Sequence, residues 1–429
     1  MIELALAIDK VVESRCLIYG SIPPHARDLD LLVREHDERA LSEALSGWGF
    51  TRKAQMWVRF GVDSVDAVDL TPAATWGLPA DELEALFGDA VAIEGMHHLV
   101  RPSPHHALLI LARRLVRAGI LDDKRRARLD SIVAEDPDAL NRARVHASAW
   151  GASRALGLLD AGRHAPSRLL RTARVAALAE QLRASGVSSA RSWPEASAAL
   201  TPRVRPPRVV AFSGLDGSGK STQVRLLAAT LEHLGFRVAI AWHRVTFNPS
   251  LDLIARPVKA LLALVRRATR SRAPLAQAPG PSGEPPARVF ERGRVVSSIW
   301  GILVAIANGS SHRRTVLKHT RRADIVLCDR YVLDSWVQIR WLYGGGPLFP
   351  LQRVAVRALS PRPVVALFLR VPPQVAWARK RDEFSPTGLE IQAVEYDRLF
   401  RSARAVVLDA TRPAEEVARE VARTVWLAT

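Results

Sequence analysis

Gly214-Leu-Asp-Gly-Ser-Gly219-Lys220-Ser221 spells G-x-x-x-x-G-K-S between an apolar strand, RVVAFSG, and a helical stretch, STQVRLLAATLEHLG. In that setting the glycines let successive backbone N–H groups turn inward around a triphosphate, and the helix start adds its positive dipole end to the same spot. Gly214, Gly217, Ser218, Gly219, Lys220, Ser221 and Thr222 are therefore the candidate ATP-binding residues, with Lys220 holding the β- and γ-phosphates. Ser221 is placed to ligate Mg²⁺, whose second protein contact comes from an acid at the end of a neighbouring hydrophobic strand. Asp329, after the run IVLC, fits that role.

A second constellation lies near the start of the chain. LIYGSIPPHARDLDLLV presents Gly20-Ser21 after a short strand and Asp28-x-Asp30 on the next one. Residues i and i+2 of a strand face the same side, so Asp28 and Asp30 can share metal ions that bind a nucleoside triphosphate. SVDAVDLTP offers Asp69 as a third carboxylate, with Asp66 as the alternative. The arrangement resembles the minimal nucleotidyltransferase pattern of G-S followed by D-x-D, though Pro23-Pro24 stands where that family has a turn of small residues. The bland alternative is that Asp28 and Asp30 cap a turn of an ordinary amphipathic strand. His97-His98 and His105-His106 lack metal-ligand neighbours and are expected to be structural.

The elements needed to position these groups can be read along the chain. After the glycine loop and its helix come the apolar runs FRVAIAW, ADIVLCD, PVVALFLRV and AVVLDA, and strands alternating with helices imply a parallel α/β sheet. The last strand leads to a helix with Thr411 as its cap and Pro413 in its first turn. Residues 136–200 turn into Ala/Arg/Leu-rich text, where SRLLRTARVAALAEQLRASG has helical spacing and Gly186 as a stop. TPRVRPPR, residues 201–208, cannot hold a helix because its prolines remove donors and restrict the preceding residues. The expected layout is a nucleotidyltransferase-like α/β domain over 1–135, a helical extension over 136–200, a linker over 201–208 and a P-loop domain over 209–429. The Pro/Gly-rich stretch 272–288 is expected to be a loop.

The segment VVAFSGLDGSGKSTQVRLLAATLEHLGFRVAIAW resembles the opening of thymidylate kinase, whose loop reads G-x-D-G-x-G-K-S-T-Q; Asp216 is the distinctive element. The resemblance continues in CDRYVLDSW (328–336), similar to the family's D/E-R-Y…S segment, and in VPPQVAWARKRDEF (371–384), similar to its basic lid. EYDRLF and VVLDATRPAEEVARE carry it to the last residues, so that it covers 206–429. It implies a P-loop NTPase fold and Mg²⁺-dependent transfer of the γ-phosphoryl group of ATP to a nucleoside monophosphate such as dTMP, or to a related small phosphorylated acceptor. In that scheme Asp216 would orient the acceptor or assist its deprotonation, and Arg330 would clamp the acceptor phosphate through its planar fork. Arg379 and Arg381 would close over the transferring group, since positive charge must surround a phosphoryl group in flight and a lid excludes water.

Two departures concern the acceptor. AWHRVTFNP stands where the family has Arg-Glu-Pro, with Arg244 as the one equivalent. An insertion over 250–312, containing LIARPVKALLALVRRATRSR, replaces the region of base recognition. That run suits peripheral contact with an anionic membrane as well as packing on its own domain. The rival to a kinase is a non-enzymatic, ATP-dependent switch or scaffold whose lid and insertion recruit a membrane or a protein; a homodimer is a further expectation.

Composition narrows the classes. With 429 residues and 48% hydrophobic residues the chain can bury several cores, which excludes a peptide and a disordered chain. Its two cysteines, Cys16 and Cys328, each sit in an apolar stretch and can build neither a zinc pair nor a disulfide framework, so the expected compartment is the cytoplasm. MIELALAIDK lacks the layout of a secretory leader, and the apolar run 295–307 falls short of the roughly 20 residues a spanning helix needs. The net charge of +18 gathers in residues 151–429, with 43 basic against 20 acidic residues there. Because 54 of the basic residues are Arg and seven are Lys, codon bias accounts for that excess as readily as an anionic partner does. Few aromatics interleave with the arginines, which argues against stacking on single-stranded nucleic acid.

Overall fold

The computed structural model describes residues 1–61, 64–162, 168–201, 206–243, 294–320, 322–343, 346–381 and 385–429. Arg244, the basic run 253–272, the stretch 272–288 and the insertion as far as 293 lie outside them. The chain divides into two compact units: Met1–Arg59 with Asp66–Arg203, and Phe60–Val65 with Val204–Thr429.

The first unit is built on strands β1 (Cys16–Ile18), β2 (Leu29–Val33), β3 (Thr51–Lys53), β4 (Met56–Phe60), β5 (Val65–Pro72), β6 (Val91–Ala92) and β7 (Leu99–Arg101). They form a mixed sheet in the order β3-β4-β5-β2-β1-β7-β6. Alternation along the strands sorts their side chains between two cores. Ile18, Leu29, Leu31 and Val33 join the core that holds Leu4, Ile8, Leu41 and Leu45, from the helices Ile2–Asp9 and Glu35–Gly47. Leu17, Tyr19 and Leu32 enter the core built by the helix Pro104–Ala118 together with the helices between Ala139 and Ala199. The Ala/Arg/Leu-rich text therefore packs into the same core as the sheet. The helix Arg171–Ala184 stops before Gly186, whose φ of +89° is a left-handed exit.

The second unit carries β8 (Arg208–Ser213), β9 (Val238–Trp242), β10 (Ile325–Asp329), β11 (Val365–Arg370) and β12 (Val406–Asp409). All pairs are parallel, in the order β12-β11-β8-β10-β9, with helices between the strands. β10 is buried along its whole length and β8 beyond its first residue, which is why both read as unbroken apolar runs. The chain reversal between β8 and its neighbours opens a crevice at their carboxyl ends, where ligands bind in such sheets. The helix expected from Thr411 starts at Ala414 instead, with Pro413 as its N-cap. Thr411 is drawn into a turn in which its backbone N–H and its hydroxyl both donate to Asp409. Among the described residues no helix is long and apolar enough to cross a membrane, the run 295–307 lying within the helix Arg294–His319.

Candidate active site

β8 ends at Ser213 and delivers the glycine loop to the crevice; the helix Lys220–His233 begins where the loop closes. Two glycines are required by their surroundings. At Gly214 φ is +148°, and a Cβ would lie 2.6 Å from the Leu369 carbonyl oxygen; at Gly217 φ is +85°, and a Cβ would lie 2.2 Å from the Ala376 carbonyl oxygen. No other residue type fits either position without moving a backbone. Gly219 is the N-cap of the helix, Ser218 is buried and its N–H donates to the Leu215 carbonyl, and Thr222 is exposed on the first helical turn.

Lys220 is buried and donates from Nζ to the carbonyls of Gly214 and Leu215 at 2.9 and 2.7 Å. Burial, and then the Arg330 guanidinium, pull its ammonium below the ordinary lysine value, while Asp216, Asp334 and Asp329 act the other way. Asp216, buried inside the loop, is the common partner of three cations. Lys220 lies 3.7 Å from it and Lys380 3.8 Å, and Arg330 forms an ion pair with it. Burial alone would lower the Arg330 guanidinium, but the carboxylate of Asp216, with Asp334 and Asp329 behind it, holds it above its ordinary value. Arg330 itself has a φ of +70°, and its N–H donates to the Phe212 carbonyl, which turns the chain out of β10.

Register explains the metal pair. Asp329 stands opposite Phe212 of β8 and Trp242 of β9, at the carboxyl end of the sheet. Its Oδ2 accepts from the Ser221 hydroxyl at 2.5 Å, while Oδ1 is buried without a hydrogen-bond partner. A buried carboxylate oxygen left unsatisfied beside a serine hydroxyl is what a hard, oxygen-loving cation such as Mg²⁺ would complete. Ser221 and Asp329 thus fit the ion.

Two groups went unnoticed in the sequence. Asp334, five residues beyond Asp329, is buried and gathers hydrogen bonds from the Ser213 hydroxyl (2.6 Å), the Tyr331 N–H (3.0 Å) and the Tyr396 hydroxyl (2.8 Å), with the Gly214 N–H at 3.4 Å. It ties the end of β8 and the start of the loop to two helices. Lys380 is the second: the structure brings it, rather than its neighbours, to Asp216. Arg379, expected over the transferring group, instead donates to the backbone carbonyls of Ala410 and Thr411. Arg381 is exposed at the edge of the described segment. The reason is local: the helix Pro373–Arg379 ends at Lys380, whose extended backbone, ψ +115°, aims successive side chains in different directions. An alternation of basic residues gives no sign of which one turns inward.

In the first unit, Asp30 on β2 stands opposite Asp69 on the parallel strand β5, and Asp28 lies just before β2 begins. Burial, then the charge of Asp30, raises the Asp28 carboxyl above its usual range. Burial, then Asp30 and Asp28, against the Thr71 hydroxyl, does the same at Asp69. Asp66 is turned away and pairs with Arg59 at 2.7 Å. Arg114 donates to Asp30 at 3.0 Å, and a cleft of about 370 Å³ beside Asp69 is lined by Tyr19, Thr71, Arg113, Arg114 and Arg117 among others. Gly20 is forced here too, since a Cβ would meet the Asp30 carboxylate at 2.3 Å. The expectation for the histidines needs correction at His105 and His106, which do have ligand-type neighbours: Glu82 and His146 from other helices, and Asp89 at the C-cap of the helix Ala80–Gly88.

No family model matches the chain. Its C-terminal half is similar to curated thymidylate kinases. That of Symbiobacterium thermophilum is 29% identical over 229 residues, which is 50% of this chain and 91% of the relative. That of Rhodopseudomonas palustris strain CGA009 is 27% identical over 237 residues, 51% and 89% of the two chains. That of Bradyrhizobium sp. strain ORS 278 is 27% identical over 237 residues, 50% and 87%. The C-terminal half is thus thymidylate kinase-like, and the parallel sheet with its flanking helices agrees with a P-loop kinase.

Proposed function

We propose that the C-terminal half transfers the γ-phosphoryl group of ATP to a nucleoside monophosphate, dTMP or a close analogue. The observation that carries this reading is the buried Asp216 ringed by Lys220, Arg330 and Lys380, beside the Ser221–Asp329 pair at the ends of β8 and β10. Phosphoryl transfer asks little covalent help of a protein and much positive charge in fixed positions. Ser221 and Asp329 would hold Mg²⁺, which would supply charge neutralisation at the phosphates. Lys220 exchanges its carbonyl partners for β- and γ-phosphate oxygens. Arg330 releases Asp216 to take the acceptor phosphate in its planar fork, and Asp216 is left to orient the acceptor. Lys380 supplies the lid charge next to the reacting groups, while Arg379 fixes the lid to the Ala410–Thr411 turn.

The test is ADP release with Mg-ATP across a panel of nucleoside monophosphates. One acceptor should raise turnover at least about tenfold above the acceptor-free rate, since general ATPase loops turn over slowly without a positioned nucleophile. Slow ADP release that no acceptor stimulates would overturn the kinase and favour an ATP-dependent switch.

A second reading concerns the first unit. The Asp30–Asp69 register pair, with Asp28 next to it and an arginine-lined cleft alongside, supports a metal-dependent nucleotidyltransferase-like site in which the three carboxylates hold the ions. Asp30→Asn should abolish Mn²⁺-dependent binding of a fluorescent nucleoside triphosphate in a protein whose glycine loop has been disabled by Lys220→Ala. Equal binding with and without the Asp30 carboxylate would sink this reading.

A further inference from the structure

His105, His106 and His146 gather in the first unit with Glu82 and Asp89. The helix Pro104–Ala118 brings His105 and His106 in its first turn, the helix Ala139–His146 brings His146 at its end, and the helix Ala80–Gly88 brings Glu82. Glu82, His106 and His146 offer one ligand atom each, all within 4.8 Å of one another.

The hydrogen bonds assign the protons. The Ser103 hydroxyl lies 2.9 Å from His106 Nδ1 and 3.2 Å from His105 Nδ1, and with a single proton it can donate to only one of them. His105 Nε2 faces the Asp89 carboxylate at 3.5 Å, an acceptor, so Nε2 carries the His105 proton and Nδ1 receives the one from Ser103. Ser103 Oγ then accepts from His106 Nδ1–H, which leaves His106 Nε2 as a bare lone pair. That nitrogen is buried, in a residue with no exposed surface, and has no hydrogen-bond partner. Beside it, His146 Nδ1 stands 3.0 Å from Glu82, which also accepts from Trp150 Nε1 at 3.0 Å.

We propose that Glu82, His106 and His146 bind a zinc-class divalent cation. Two imidazoles and a carboxylate suit Zn²⁺ in a four-coordinate site, with a water in the fourth position on the partly exposed His146 side. Zinc bonds of about 2.1 Å place ligand atoms about 3.4 Å apart, a spacing that lies between the 3.0 Å separating His146 Nδ1 from Glu82 and the 4.8 Å within which all three ligand atoms fall. Ser103 on His106 and Trp150 on Glu82 are the outer partners that hold such ligands in orientation. The ion would clamp three helices at the edge of the core that holds Trp150.

The test uses the full chain, stripped with a chelator and titrated with Zn²⁺ in excess Mg²⁺, so that carboxylate-only sites are already filled. One equivalent should bind and raise the thermal midpoint, and Co²⁺ in its place should give the visible absorption of a four-coordinate nitrogen-containing site. Because His106 is fully buried and its replacement threatens folding, the partly exposed ligands carry the comparison. His146→Gln and Glu82→Gln should each weaken binding by about tenfold or more, as even outer-shell changes do at such sites. His98→Gln should leave it unchanged. Absence of stoichiometric Zn²⁺ binding to the unaltered protein overturns the proposal, as does binding that survives both ligand variants or that is lost with Asp30→Asn instead.

Discussion

Lys220→Ala should lower acceptor-stimulated ADP release by about 10²–10³-fold in kcat while leaving the fold intact, since one preorganised charge at a reacting phosphoryl group has that worth in a site closed to water. The lysine is buried, and its partners in the resting protein are two loop carbonyls, Gly214 and Leu215. These interactions are neutral–charged hydrogen bonds that a phosphate can replace with better ones. Removing the ammonium takes a donor from the Gly214 carbonyl, while the Leu215 carbonyl keeps the Ser218 N–H, at a cost of about 1–3 kcal/mol. Asp216 keeps Arg330 and Lys380, so the loop does not lose its only cation. A thermal melt alongside the kinetics separates the two effects. A variant that melts within a few degrees of the parent and still turns over at a tenth or more of its rate would remove Lys220 from the catalytic set.

Asp334→Ala should have the largest effect on stability, about 3–5 kcal/mol, because it strips a buried carboxylate from the donors it accepts from. Those donors are the Ser213 and Tyr396 hydroxyls and the Tyr331 N–H. Burial first, then Asp334 itself, holds the Tyr396 phenol well above its ordinary value, which keeps it the donor in its hydrogen bond to Asp334. At about 2–4 °C per kcal/mol for a unit of this size, the melting midpoint should fall by about 10 °C. Asp334→Asn keeps one acceptor oxygen and should lie between the two. Because the carboxylate also anchors the first residues of the loop, both variants should raise the KM for ATP more than that for the acceptor. An unchanged midpoint for Asp334→Ala would show that the network contributes no net stability.

The glycine loop was legible because its chemistry is local: G-x-x-x-x-G-K-S needs only a strand before it and a helix after it, and both carry unmistakable apolar patterns. Each of the five strands of the parallel sheet was likewise marked by an apolar run; burial on both faces accounts for it in β8 and β10, whereas the edge strands β9 and β12 carry theirs partly exposed. Asp334 escaped because nothing in VLDSW distinguishes an acid that gathers distant donors from one that caps a helix; its partners Ser213 and Tyr396 are 121 and 62 residues away. Lys380 escaped for the opposite reason, being one of several basic residues in a row whose direction depends on where a short helix ends. The histidine cluster shows the same limit. His105-His106 looked isolated in sequence because Glu82 and His146 arrive from helices on either side of it in the chain.

The close approach of Gly214 to the Leu369 carbonyl and of Gly217 to the Ala376 carbonyl has a consequence of its own. The phosphate loop is cast against a mould made of main chain, the stretch from the end of β11 into the helix Pro373–Arg379. A mould of carbonyl oxygens tolerates almost any side chains, provided its path is kept, and Pro372 and Pro373 stiffen that path where it turns. Variation along the mould should therefore be silent to nucleotide binding, while a change of its length by a single residue should be as damaging as losing a glycine from the loop it shapes.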